Sequence, residues 1–163
     1  MRIYLTTLIL LSTGCFSQHK ADYNLLYNIN SQATTQGIHV NQLLSASDTP
    51  ISLGIPVVLG ITSVVNKNKS HAIITREQLT THLINSTLTI GIKYIVQRPR
   101  PFVTYPSIEK YGKVGSLSFP SGHTSMAFAT ATSLSLNFRK WYVVGPAYLW
   151  ASSVAYSRMY LGV

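Results

Sequence analysis

The chain has 163 residues, enough for one domain with a real core and too few for two of ordinary size. Only 10% of its residues are charged while 46% are hydrophobic, against a usual charged share of about 25%, a balance that points towards lipid. Thirteen Lys and Arg against four Asp and Glu give a net charge of +9 and predict an anionic partner. That partner is not nucleic acid, since the cations stand singly or in pairs and form no basic helical stripe or aromatic-basic platform.

At the N-terminus Arg2 precedes the apolar run Ile3 to Leu11 and the small-residue stretch Ser12 to Ser17, which reads as a secretory signal peptide over residues 1–17. Cleavage after Ser17 would make Gln18 the mature N-terminus. Acylation of Cys15 is the alternative, although Ser12 stands where a lipoprotein signal carries Leu. Loss of Cys15 with the signal would leave no cysteine, and so neither disulfide nor thiol chemistry.

Residues 18–49 form a polar lead-in. Tyr23, Leu26 and Ile29, then Val40, Leu43 and Leu44, recur at roughly helical spacing, so short amphipathic helices on a surface are expected there.

Residues 50–163 form one helical domain around four apolar stretches: Pro50 to Asn66, Leu79 to Ile92, Thr124 to Phe138 and Trp141 to Ser157. None contains Lys, Arg, Asp or Glu, and each is shorter than the roughly 20 residues a spanning helix needs. The loops favour a membrane. With the signal cleaved, Lys67, Lys69 and Arg76 fall in one inner loop and Arg139-Lys140 in the other, as the positive-inside rule requires, although the outer segment from Lys93 to Lys113 is basic too. Ser125, Ala129 and Ser133 lie four apart and allow another helix to approach closely.

Three segments carry chemistry. Lys93 to Pro101 ends an apolar helix with Lys93, Arg98 and Arg100, and with two prolines that stop the helix. Arg offers a planar fork and Lys a point charge, a combination suited to a dianion; such cations also anchor helix ends to headgroups. In Pro120-Ser121-Gly122-His123, Ser121 is a good N-cap and Gly122 lets backbone approach a ligand. The following helix aims its free N–H groups at that point, and His123 on its first turn can give a proton near neutral pH. A given tetrapeptide arises by chance in about one chain in a thousand of this size. Ser157-Arg158 closes the last apolar stretch, where an Arg alone would read as another anchor.

Together the three segments resemble the phosphatidic acid phosphatase type 2 superfamily, which also includes bacterial acid phosphatases and vanadium haloperoxidases. Its pattern is Lys, six residues, Arg-Pro; then Pro-Ser-Gly-His; then Ser-Arg, five residues, His, three residues, Asp. Lys93 with Arg100-Pro101 matches the first, which selects Arg100 over Arg98. Pro120 to His123 matches the second, and Ser157-Arg158 with the spacer Met159 to Val163 matches the start of the third.

The resemblance implies an all-α bundle of mostly membrane-embedded helices. It implies that Lys93, Arg100 and Arg158 hold phosphoryl oxygens, that Ser121 and the Gly122 backbone add hydrogen bonds, and that His123 is the general acid. The family's nucleophilic histidine and its orienting Asp are expected just after Val163, so the chain as written is expected to be an inactive fragment. The expected activity is hydrolysis of a lipid phosphate or diphosphate through a phosphohistidine, without metal, with vanadate only for a haloperoxidase. The expected place is a bacterial inner membrane with the site facing the periplasm. A soluble periplasmic acid phosphatase and a non-catalytic phosphate- or lipid-binding membrane protein are the alternatives.

Overall fold

The computed structural model describes residues 21–115 and 117–163; the expected signal peptide over 1–17 and Cys15 lie outside the described residues. The described elements are helices: α1 (21–30), α2 (Thr35–Ala46), α3 (Asp48–Val65), α4 (Lys69–Val96), α5 (Pro101–Thr104), α6 (Gly122–Phe138) and α7 (Trp141–Tyr160). No strand occurs among the described residues. The architecture is the expected all-α bundle.

The helix starts follow from local chemistry. Thr34 Oγ1 accepts from the Gly37 N–H at 3.1 Å ahead of α2. Asn68 Oδ1 accepts from the N–H groups of Ser70 and His71 at 3.0 and 3.3 Å ahead of α4. Each side chain satisfies donors that a helix start leaves unpaired. With that cap in place α4 begins well before Leu79, and its 28 residues run about 42 Å. Lys69 and Arg76, expected in a loop, therefore sit on α4, and residues 66–68 make the turn. Gln97, left-handed at φ 48°, ends α4 just before Pro99.

α6 is the central helix, packing on α3, α4 and α7, while α2 packs on α7. Ala127 and Ala131 of α6 meet Ala147, Ala151 and Val154 of α7, a seam of small side chains flanked by Phe128 and Trp150. The Ser125, Ala129, Ser133 face turns instead towards α4, along a groove of about 880 Å³. Ser125 Oγ lies 3.4 Å from Asn85 Nδ2 and 3.2 Å from Thr89 Oγ1 there.

Beside that apolar seam, many buried side chains are polar and many exposed ones are large and apolar. Asn41, Ser45, Asp48, Ser52, Gln78, His82 and Thr130 are buried, whereas Val57, Val58, Ile61, Val64, Leu83 and Ile95 are exposed. A chain of hydrogen bonds crosses three helices. His82 Nε2 lies 3.0 Å from Thr130 Oγ1, Thr130 donates to Ser52 Oγ at 2.9 Å, and Ser52 donates to Asp48 Oδ1 at 3.3 Å. Among the described residues the helical run Thr35–Val65 is the one long and apolar enough to cross a membrane by length and composition.

Candidate active site

The C-terminal ends of α4 and α7, the N-terminus of α6 and the α2–α3 junction converge at one end of the bundle. Lys93, in the last turn of α4, donates from Nζ to the Leu117 carbonyl at 2.5 Å, and Arg100 Nη2 reaches the same oxygen at 3.4 Å. One carbonyl thus gathers both cations of the first motif beside the second. The approach is fixed by Ser118, whose N–H donates to the Arg98 carbonyl at 3.0 Å and whose Oγ donates to the Pro99 carbonyl at 2.8 Å. Arg98 itself lines a separate cavity with Asp22, Tyr23 and Tyr105.

The second motif opens α6. The Phe119–Pro120 peptide bond is cis. Ser121 is the N-cap, its Oγ accepting from the Thr124 N–H at 3.4 Å. A Cβ placed on Gly122 would meet no atom within 4 Å, so the backbone here borders open space. Gly122 and Lys93 line one cavity, of about 490 Å³, with Ile90, Tyr94, Leu117 and Met126. His123 and Arg158 line another, of about 320 Å³, with Ser45 and Lys113. The helix start stands between the two.

Arg158 comes from the last turn of α7 and is only 7% exposed. Its Nη1 donates to Ser45 Oγ at 2.7 Å, while its buried Nε has no hydrogen-bond partner. A buried guanidinium with an unpaired donor is costly unless an anion completes it. Lys93, Arg100 and Arg158 act on one another electrostatically, and Asp48 acts on Arg158 with the opposite sign. His123, on the first turn of α6 ahead of the apolar stretch 124–138, is held below the ordinary imidazole value, chiefly by burial and further by Arg158, Arg100 and Lys93. The structure therefore brings together all six expected residues: Lys93, Arg100, Ser121, Gly122, His123 and Arg158. Three cations and a helix N-terminus at one end of the bundle have the chemistry to hold a compact, multiply charged anion.

Two other histidines are engaged elsewhere: His71 Nδ1 lies 2.8 Å from Thr62 Oγ1, and His82 belongs to the buried chain to Asp48. Leu117, Ser45 and Asp48 escaped sequence reasoning. Leu117 works through its carbonyl, which carries no sequence signal, and the other two lie in the segment read as polar lead-in.

Residues 76–163, more than half of the chain, match the PAP2 superfamily. The chain belongs to the PAP2 superfamily. Two solved structures share its fold. The crystal structure of Aquifex aeolicus LpxE superimposes with a TM-score of 0.72 at 24% identity, covering 86% of this chain and 80% of that one. A transmembrane PAP2 type phosphatidylglycerolphosphate phosphatase from Bacillus subtilis gives a TM-score of 0.74 at 21% identity, covering 99% and 83%. No curated protein matches significantly. The PAP2 match contains every expected site residue, whereas Ser45 and Asp48 lie upstream of it. Superfamily membership and the cationic receptor agree on phosphatase chemistry.

Proposed function

We propose that this PAP2 chain carries the phosphate-binding and acid-bearing part of a metal-independent phosphatase acting on a lipid phosphate or diphosphate. The observation that carries this reading is that Lys93, Arg100, Arg158 and the Gly122–His123 helix start gather at one end of the bundle beside two neighbouring cavities, with Arg158 Nε buried and unpaired. Lys93 and the two arginines neutralise charge on the equatorial phosphoryl oxygens, the Gly122 backbone adds a hydrogen bond, and Ser121 holds the turn.

In the family pattern the attacking group is a histidine that follows the Ser-Arg pair after five residues. Its ring nitrogen bonds to phosphorus as the bond from phosphorus to the leaving oxygen breaks, and His123 gives that oxygen a proton. The now neutral His123 takes a proton from water, which attacks the phosphohistidine and releases inorganic phosphate. A dianion among the cations raises the proton affinity of His123, which offsets the lowering in the empty site.

A lipid substrate is supported by the mainly apolar cavity that starts at Lys93 and Gly122 and runs along Ile90 and Met126. The apolar exterior of α3 and α4 supports a membrane location, and the Bacillus subtilis relative is a phosphatase of phosphatidylglycerolphosphate. The short basic segments at the opposite end, Lys67 to Lys69 and Arg139-Lys140, support an inner membrane with the cradle facing the periplasm.

The test is phosphate release from lipid phosphates and diphosphates in vesicles, using the chain carried through its natural C-terminus, with a chelator present. Release that persists with the chelator and vanishes in His123→Ala is expected. Phosphate binding without release from any such lipid would instead establish a non-catalytic phosphate-binding membrane protein.

A further inference from the structure

Arg158 stands on the last turn of a helix and must reach across to the cradle with a side chain that has several freely rotating bonds. A guanidinium left to itself would sample many orientations, and holding one costs rotamer entropy. Its Nη1 donates to Ser45 Oγ at 2.7 Å, between two residues that are 7% and 5% exposed. With that corner fixed, Nε is the buried donor left without a partner, and Arg158, Ser45 and His123 share the wall of one cavity.

The support under Ser45 is rigid. α2 packs against α7, the helix that carries Arg158. Two residues on, Ser47 Oγ accepts from Trp150 Nε1 of α7 at 3.0 Å. Asp48 follows, pinned by Ser52 and through it by Thr130 and His82. The Asp48 carboxylate acts on Arg158 as a counter-charge. The α2–α3 junction is thus tied to α4, α6 and α7 on the side where Arg158 arrives.

We propose that Ser45 is a positioning residue that holds the Arg158 guanidinium in its phosphate-facing orientation, making the α2–α3 junction a working part of the site. This rests on the phosphate-binding reading of Arg158. Ser45 acts through Arg158, so its effect exists only while the arginine is present. A hydroxyl that merely satisfied a buried donor would affect folding without any such dependence in ligand affinity.

The experiment is calorimetric titration of inorganic phosphate into the detergent-solubilised chain, with helical content checked by circular dichroism. Ser45→Ala is expected to weaken phosphate binding about tenfold, and Ser45→Thr, which keeps the hydroxyl, to recover most of it. In an Arg158→Ala background Ser45→Ala is expected to change nothing further. Should Ser45→Ala fail to fold, Ser45→Cys, which keeps the volume but is a weak acceptor, takes its place with the same expectation. Wild-type affinity in the Ser45 variant, or effects of the two substitutions that simply add, would overturn the positioning role while leaving the phosphate site standing. Wild-type protein that binds no phosphate would overturn the phosphate reading and the proposal with it.

Discussion

The cradle is built from two regions of different character. The motif-bearing segments, Lys93 to Pro101, Pro120 to His123 and Ser157-Arg158, bring the groups proposed to hold phosphate. The junction of α2 and α3 brings Ser45 and Asp48, which face Arg158. Residues of the first kind are specified by the chemistry of phosphate, since Arg or Lys supplies the charge and His a proton near neutral pH. Residues of the second kind are specified by where the first must be held, and several small polar residues would serve. The lesson is that a motif identifies the reacting groups while their aim is set from outside it.

That division predicts where damage is greatest. In the chain carried through its natural C-terminus, His123→Ala, Arg100→Ala and Arg158→Ala are each expected to lower phosphate release by at least about a hundredfold, the usual scale for lost acid catalysis or charge stabilisation. Near-normal turnover in all three would break the comparison. Gly122→Val places its side chain in the open space beside the cradle, so phosphate affinity should fall about tenfold with helical content unchanged by circular dichroism.

Further out, Thr130→Val leaves Ser52 and His82 without their shared partner, and thermal unfolding in detergent should register a loss of about 1–3 kcal/mol. Asn30→Ala removes the bonds that tie the end of α1 to the Tyr160 carbonyl at 3.0 Å and to the Glu109 N–H at 2.8 Å. It should cost about 1–2 kcal/mol of stability while moving phosphate affinity by less than about threefold. A larger change in affinity would extend the positioning region to α1.

Much of the fold was legible because the four apolar stretches are separated by turn and capping residues, and each became part of α3, α4, α6 or α7. The start of α4 was not, because polar helix formers such as Lys69, Arg76 and Gln78 leave no apolar signature, and the Asn68 cap decides the boundary. The row expected to admit another helix, Ser125, Ala129 and Ser133, does face α4, but the row that meets α7 was not singled out. Ser125, Ala129, Ser133 and Ala127, Ala131 are both small-residue rows with four-residue spacing, and only the tertiary partner tells them apart. At the site, the reacting residues were legible one by one, whereas the Leu117 carbonyl and the Ser45 hydroxyl were not. The first is a group every residue has, and the second acts 113 positions away in the chain.

The lowered proton affinity of His123 supplies the smallest and most specific effects. Because the folded state holds this imidazole below its ordinary value, the unfolded chain binds the proton more readily. Stability from the neutral ring is therefore present above the ordinary imidazole value and is lost as the pH falls from there through the lower folded-state value. His123→Gln should flatten that part of the stability profile, measured by thermal unfolding across pH.

The most direct test of the cradle is the titration of the His123 ring by NMR with and without inorganic phosphate. Without phosphate the ring should titrate below the ordinary imidazole value, because burial and three converging cations oppose its charge. Bound phosphate should raise that value, and Arg100→Ala or Arg158→Ala should shrink the response. A His123 titration that ignores phosphate at concentrations saturating the protein would contradict a site in which the acid, the three cations and the anion meet.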